Sequence, residues 1–130
     1  MSLHGVGIDV ADSRRIGRLL HAHGTRFTQR WFATDEISEC EASPDRARAY
    51  TARFAAKEAV WKSLQLSGDT AVPWRSIVVL EHGVDGRTTV TLHGEVAAAA
   101  TRDGVGPIRV SWSSDADLTT AVALAERASS

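Results

Sequence analysis

The chain has 130 residues, 43% hydrophobic and 24% charged, with a formal net charge of -1, which suits one domain over residues 1–130 with its own core and no metal or disulfide staples. Eight Trp, Tyr and Phe residues in a nearly neutral chain exclude a general nucleic-acid binder, which needs a basic surplus and stacking aromatics. A single cysteine, Cys40, rules out an internal disulfide, and there is neither a signal-peptide pattern nor a window near the ~20 apolar residues of a membrane span, so a cytoplasmic protein with no membrane partner is expected.

Leu3 to Val10 alternates apolar residues with glycine and carries Asp9 near its end, as a first strand does. Asp12 or Ser13 then caps a helix from about Arg14 to His23, closed by Gly24. A short helix from Arg26 to Phe32 follows, and Thr34 caps another from Asp35 to about Glu41. Ser43-Pro44-Asp45 reads as a helix start with proline in the first position. From there to Leu66 no proline or glycine interrupts, giving the longest helix, with Ala49, Ala52, Ala56 and Ala59 suited to lying close against a sheet. Ser67-Gly68-Asp69 ends it. Ser76 to Glu81 and Thr88 to Leu92 read as strands joined by a turn at Gly83–Gly86. Gly94 to Arg102 is a short helix, and Ile108 to Ser113 and Thr120 to Leu124 form a last strand pair. The order predicts an α+β fold with a small antiparallel sheet on a long central helix.

Thirteen arginines stand against two lysines, and both lysines lie in Lys57-Glu58-Ala59-Val60-Trp61-Lys62. Lysine is a compact charge that approaches a phosphoryl oxygen closely, which a planar guanidinium does less well. Glu58 and Lys62, four apart on a helix, share a face. Taken alone this reads either as an ordinary ion pair or as the start of a metal-phosphate site, and Asp9 reads either as a capping residue or as a metal ligand. Ser13 to Arg30 holds Arg14, Arg15, Arg18, Arg26 and Arg30 with no acid. That segregated basic patch reads as a docking surface for an acidic partner or as a solvated helix face.

The stretches GVGIDVADSRRI (Gly5 to Ile16) and RFAAKEAVWK (Arg53 to Lys62) resemble the two signature segments of the 4′-phosphopantetheinyl transferases, in the short holo-acyl-carrier-protein synthase branch. The resemblance runs on through Phe27, Arg30 and Glu36 to the last strand pair. It implies transfer of 4′-phosphopantetheine from coenzyme A to a serine of an apo acyl carrier protein, with release of adenosine 3′,5′-bisphosphate, by a homotrimer with sites between subunits. It further implies that Asp9 and Glu58 hold Mg2+ and that Lys62 stabilises the pyrophosphate, with Lys57 doing likewise or pairing with Asp9. Glu58 is the best candidate to take the serine proton, and coenzyme A would meet Arg46, Arg48, Arg53, Ser111 and Ser114. The carrier protein would dock on Arg14, Arg15, Arg18 and Arg26.

Two departures from the family pattern bear on the nucleotide. Ser63-Leu64-Gln65-Leu66-Ser67-Gly68-Asp69 replaces a glycine-rich turn, and Ser114 stands where a histidine is expected. A serine hydrogen-bonds a phosphate but adds no positive charge. These departures sustain an alternative, a catalytically weak relative that binds carrier protein or coenzyme A without transfer. A plain trimeric structural protein would require the acid-lysine pattern to be accidental.

Overall fold

The computed structural model describes residues 2–67 and 72–129. Strand β1 (Leu3–Asp12) leads into four helices, α1 (Ser13–His23), α2 (Thr25–Trp31), α3 (Thr34–Glu41) and α4 (Arg46–Leu64). A strand pair, β2 (Ile77–Leu80) and β3 (Thr89–Leu92), precedes helix α5 (Gly94–Arg102) and the closing strands β4 (Val105–Asp115) and β5 (Leu118–Arg127). The architecture is α+β, as the element order predicts.

Strand β5 lies between β1 and β4 in a three-stranded antiparallel sheet, while β2 and β3 pair separately. The last two strands extend beyond their expected bounds because the long β5 pairs along both neighbours. Pro107 is accommodated because β4 is an edge strand, with an irregularity in its register between Val105 and Ile108. Helix α4 crosses one face of this sheet and is buried on nearly all sides from Tyr50 onward. Its small residues Ala55, Ala56 and Ala59 face the Gly5, Gly7, Ala121 and Ala123 side of β1 and β5. The other face of the sheet exposes Val6, Ile8 and Val10 of β1 with Leu118 and Val122 of β5. That is the period-2 alternation of a strand with one covered face.

The helix ends differ from expectation in three places. Thr34 does not cap α3; Ala33 is the N-cap, and the Glu36 carboxylate accepts its backbone N–H at 2.8 Å. Asp45, not Ser43, caps α4 by accepting from Arg48 N at 3.1 Å, so Pro44 lies before the helix. Helix α4 stops at Leu64, two residues early, because Gln65 adopts the left-handed conformation (φ 46°, ψ 48°). The expected Gly68-Asp69 part of its terminating turn lies outside the described residues. Asp12 does cap α1, accepting from Arg14 N at 2.8 Å.

Candidate active site

Two glycines bring β1 and α4 together. A Cβ at Gly7 would overlap the Ala59 carbonyl, and one at Gly5 the Ser63 carbonyl, so the strand backbone rests directly on the helix. His4 adds a hydrogen bond of 2.6 Å between Nε2 and the Leu64 carbonyl oxygen at the helix end. Asp9, two residues after Gly7, keeps the inward direction, and its carboxylate meets Lys62 of α4. There Lys62 Nζ donates to Asp9 Oδ1 and to the Ile8 carbonyl oxygen, both at 3.0 Å. The Asp9 side chain is 12% exposed and that of Lys62 is 51% exposed, so the carboxylate is held while the ammonium stays open to solvent.

Glu58 joins this pair from the preceding turn of α4. Burial, the Asp9 charge and a hydrogen bond to Asp9 push its carboxyl up to about 7, against the pull of Lys62 and Arg15. Arg15 reaches this corner from α1, with its guanidinium carbon 5.8 Å from the centroid of the Phe54 ring. A carboxyl raised by burial beside a second carboxyl marks a place that a cation would relieve. Among the described residues no third His, Cys, Asp or Glu completes a metal-binding group. Two carboxylates with room left for water and phosphate oxygens suit a hard divalent cation such as Mg2+, and do not suit zinc.

Lys57 is a correction. Its side chain is 1% exposed and points to the opposite side of α4, donating to Glu36 Oε1 and to the Ile77 carbonyl, each at 2.6 Å. It reaches neither Asp9 nor solvent, because neighbours on a helix diverge by about 100°. Glu36 also accepts from Val79 N at 2.9 Å, so the pair ties α3, α4 and β2 together. Cys40, fully buried, has its thiol pushed up to about 12 by burial and offers no nucleophile.

The coenzyme A candidates separate into two groups. Arg48, Arg53, Trp112 and Ser114 line one cavity of about 230 Å³ at the N-terminal end of α4. Arg46 turns away to Glu41, bonded at 2.9 Å through both Nε and Nη2. Ser111 is exposed and belongs to the other face of β4, since Trp112 and Ser114 share the inward one. Arg46 and Ser111 are therefore corrected out of this cavity. Trp112, to which the sequence assigns no site role, packs on Arg53, with the guanidinium carbon 5.4 Å from the ring centroid. Only its two-residue spacing from Ser114 hinted that the two share a face.

Arg14, Arg15 and Arg18 of α1 and Arg26 of α2 are all exposed, but Arg14 is tied to Asp12 at 2.8 Å and Asp117 at 3.6 Å. Leu19, His23, Arg26, Phe27, Arg30 and Trp31 line a groove of about 310 Å³ between α1 and α2, apolar at its floor and basic at its rim.

Residues 5–123 match the family described as the 4′-phosphopantetheinyl transferase superfamily. The chain is 40% identical over 125 residues to the holo-[acyl-carrier-protein] synthase of Anaeromyxobacter sp. (strain K), covering 94% of each. Among solved structures it superimposes on the holo-[acyl-carrier-protein] synthase of Neisseria meningitidis with a TM-score of 0.84, at 26% identity over 96% of this chain and 99% of that one. It superimposes on the Chronobacterium ammoniagenes ACPS–CoA complex with a TM-score of 0.77, at 28% identity over 94% and 96% of the two chains.

Proposed function

From the premise that this chain belongs to the 4′-phosphopantetheinyl transferase superfamily and is an enzyme of the holo-[acyl-carrier-protein] synthase type, we propose that Asp9, Glu58 and Lys62 form its reaction centre. In this reading 4′-phosphopantetheine passes from coenzyme A to a serine hydroxyl of an apo acyl carrier protein, and adenosine 3′,5′-bisphosphate leaves. The convergence of Asp9, Glu58 and Lys62 across the β1–α4 contact carries the reading.

Asp9 and Glu58 would hold Mg2+, which supplies neutralisation of the pyrophosphate charge. Lys62, tied to Asp9 yet half exposed, is positioned to donate to a phosphoryl oxygen as charge grows on the leaving side. Glu58 is the group to accept the serine proton. The cavity of Arg48, Arg53, Trp112 and Ser114 receives the nucleotide end, and the exposed Arg15, Arg18 and Arg26 receive an acidic carrier protein.

Residues 1–130 act as one catalytic unit that assembles as a homotrimer. The support for assembly is the apolar outer face of the sheet, where Val6, Ile8, Val10, Leu118 and Val122 stand in solvent in the single chain. A cytoplasmic setting accords with the one unpaired cysteine, Cys40; no described helix is long and apolar enough to cross a membrane. No observation favours the alternative of a binder that does not transfer.

The test is intact-protein mass spectrometry of an apo acyl carrier protein after incubation with this protein, coenzyme A and magnesium. A gain of one phosphopantetheine, lost on chelation and lost in Asp9→Ala and Glu58→Ala, is expected. Undiminished transfer by either variant removes the proposed centre, and undiminished transfer after chelation removes the metal.

A further inference from the structure

The cavity of Arg48 and Arg53 is unusual for a phosphate site because carboxylates outnumber guanidiniums along it and Arg53 is already engaged. Its lining contains three carboxylates, Glu39, Asp45 and Glu81, against these two guanidiniums. Arg53 is 2% exposed; its Nη2 donates to Glu39 and its Nη1 lies 3.8 Å from Glu81. Burial opposes charge on Glu39, but the backbone N–H groups of Glu81 and His82, at 2.8 and 3.0 Å, together with Arg53 hold its pKa below the usual range. Glu39 therefore stays an anion and keeps its guanidinium. Arg48 Nη2 donates to the Ala116 carbonyl at 2.7 Å. Ser114 exchanges a hydrogen bond of 2.8 Å with Thr119 and brings no charge.

Apart from the exposed Arg48, whose guanidinium meets only a neutral carbonyl among the described residues, what the cavity has left is neutral. Among the described residues Arg53 Nε is a buried donor with no partner, and an orphaned buried N–H is costly until something accepts from it. One such donor with serine hydroxyls nearby is satisfied by a ribose hydroxyl as well as by a phosphate. A dianionic phosphate, in contrast, would enter beside three carboxylates, and would compete with Glu39 for the Arg53 fork.

We infer that this enzyme selects its donor weakly at the ribose 3′ position and uses 3′-dephospho-coenzyme A as a second donor. The inference rests on the proposed placement of the nucleotide in this cavity. The reaction balances as it does for coenzyme A. The serine Oγ–phosphorus bond forms at the pantetheine phosphate and the bridging phosphorus–oxygen bond breaks. The serine proton passes to Glu58, and the leaving group is adenosine 5′-monophosphate in place of adenosine 3′,5′-bisphosphate.

The experiment measures kcat/KM for coenzyme A and for 3′-dephospho-coenzyme A on the same apo acyl carrier protein, in the wild type and in Ser114→His and Glu81→Gln. The two donors are expected to lie within about tenfold of each other in the wild type, the range a single exposed charge pair spans. Ser114→His, which adds a side chain able to carry positive charge beside a phosphate, and Glu81→Gln, which removes one of the three carboxylates, are each expected to widen the ratio toward coenzyme A. A wild-type preference for coenzyme A above about a hundredfold overturns the inference and leaves the transferase reading intact. Failure of both donors overturns the transferase reading and this inference with it.

Discussion

The ammonium of Lys57 and the carboxylate of Glu36 meet at 2.6 Å with 1% and 0% of their side chains exposed. The pair is a buried joint between α3, α4 and β2, one residue away from Glu58 in sequence but on another face of the helix. Glu36 carries more of it, because it also accepts from Ala33 N and Val79 N. We predict that Glu36→Ala costs about 3–5 kcal/mol, since it leaves a buried charge and two backbone donors unpaired, and that Lys57→Met costs less. Urea denaturation of both variants checks the order. The folded Lys57→Met protein is expected to keep its KM for coenzyme A; a tenfold rise would return Lys57 to the phosphate site.

Gly7 sets the distance between the strand of Asp9 and the helix of Glu58. Adding one methyl group there drives it into the Ala59 carbonyl, which belongs to backbone and cannot swing aside. Gly7→Ala is expected to destabilise the fold by about 2–4 kcal/mol and to lower kcat by more than tenfold in whatever folds. Thermal unfolding and single-turnover transfer read the two effects separately. An alanine variant with unaltered turnover would show that the strand-to-helix spacing does not set the reaction geometry.

The raised Glu58 carboxyl makes a signed prediction. A carboxyl whose folded value lies near 7 against 4.5 in the unfolded chain contributes stability below about 4.5 and loses it as the pH climbs through about 7. In chelator-treated protein Glu58→Gln is therefore expected to be stabilising by roughly 1–2 kcal/mol at about pH 8 and nearly neutral at about pH 5, allowing for partial solvent screening. Magnesium is expected to stabilise the wild type at the higher pH and to leave the glutamine variant unmoved. Urea midpoints in the four conditions decide it; an equal effect of the substitution at both pH values would remove the shifted carboxyl.

Arg18 and Arg26 are exposed, whereas Arg14 is tied to Asp12 and Asp117. Reversal of Arg18 and Arg26 to Glu is expected to raise KM for the carrier protein about tenfold or more at low salt while leaving KM for coenzyme A unchanged. Arg14→Glu is expected to do less to docking. Steady-state kinetics with each substrate varied in turn separates the two constants. Equal rises in both would mean that the double variant disturbs the site itself.

Much of the fold was legible because local signals and packing agree along this chain. The alternation of β1, the cap at Asp12 and the unbroken run of α4 are properties of neighbouring residues, and each element appears near its expected place. That Asp9, Glu58 and Lys62 come together in space was legible through motif resemblance and helical spacing together. What the sequence did not reveal depends on direction. Nothing local says that Lys57 turns toward Glu36, twenty-one residues away, while Glu58 turns toward Asp9. The engagement of Arg53 by Glu39 and Trp112 likewise joins three elements far apart in sequence. Thr34 has the usual capping chemistry yet lies inside α3, because the Glu36 carboxylate reaches back to the Ala33 N–H and fixes the helix start one residue earlier.

Strand β1 points Ile8 and Val10 outward and Asp9, between them, inward. Any surface that seats on those two side chains thereby grips the backbone on either side of the carboxylate. If the proposed assembly and the proposed cation site both form, they share one strand, and by mass action each would tighten the other. Dilution of such an assembly would then weaken its hold on magnesium before it unfolded the chain, and the concentration of the protein itself would tune how much cation the reaction needs.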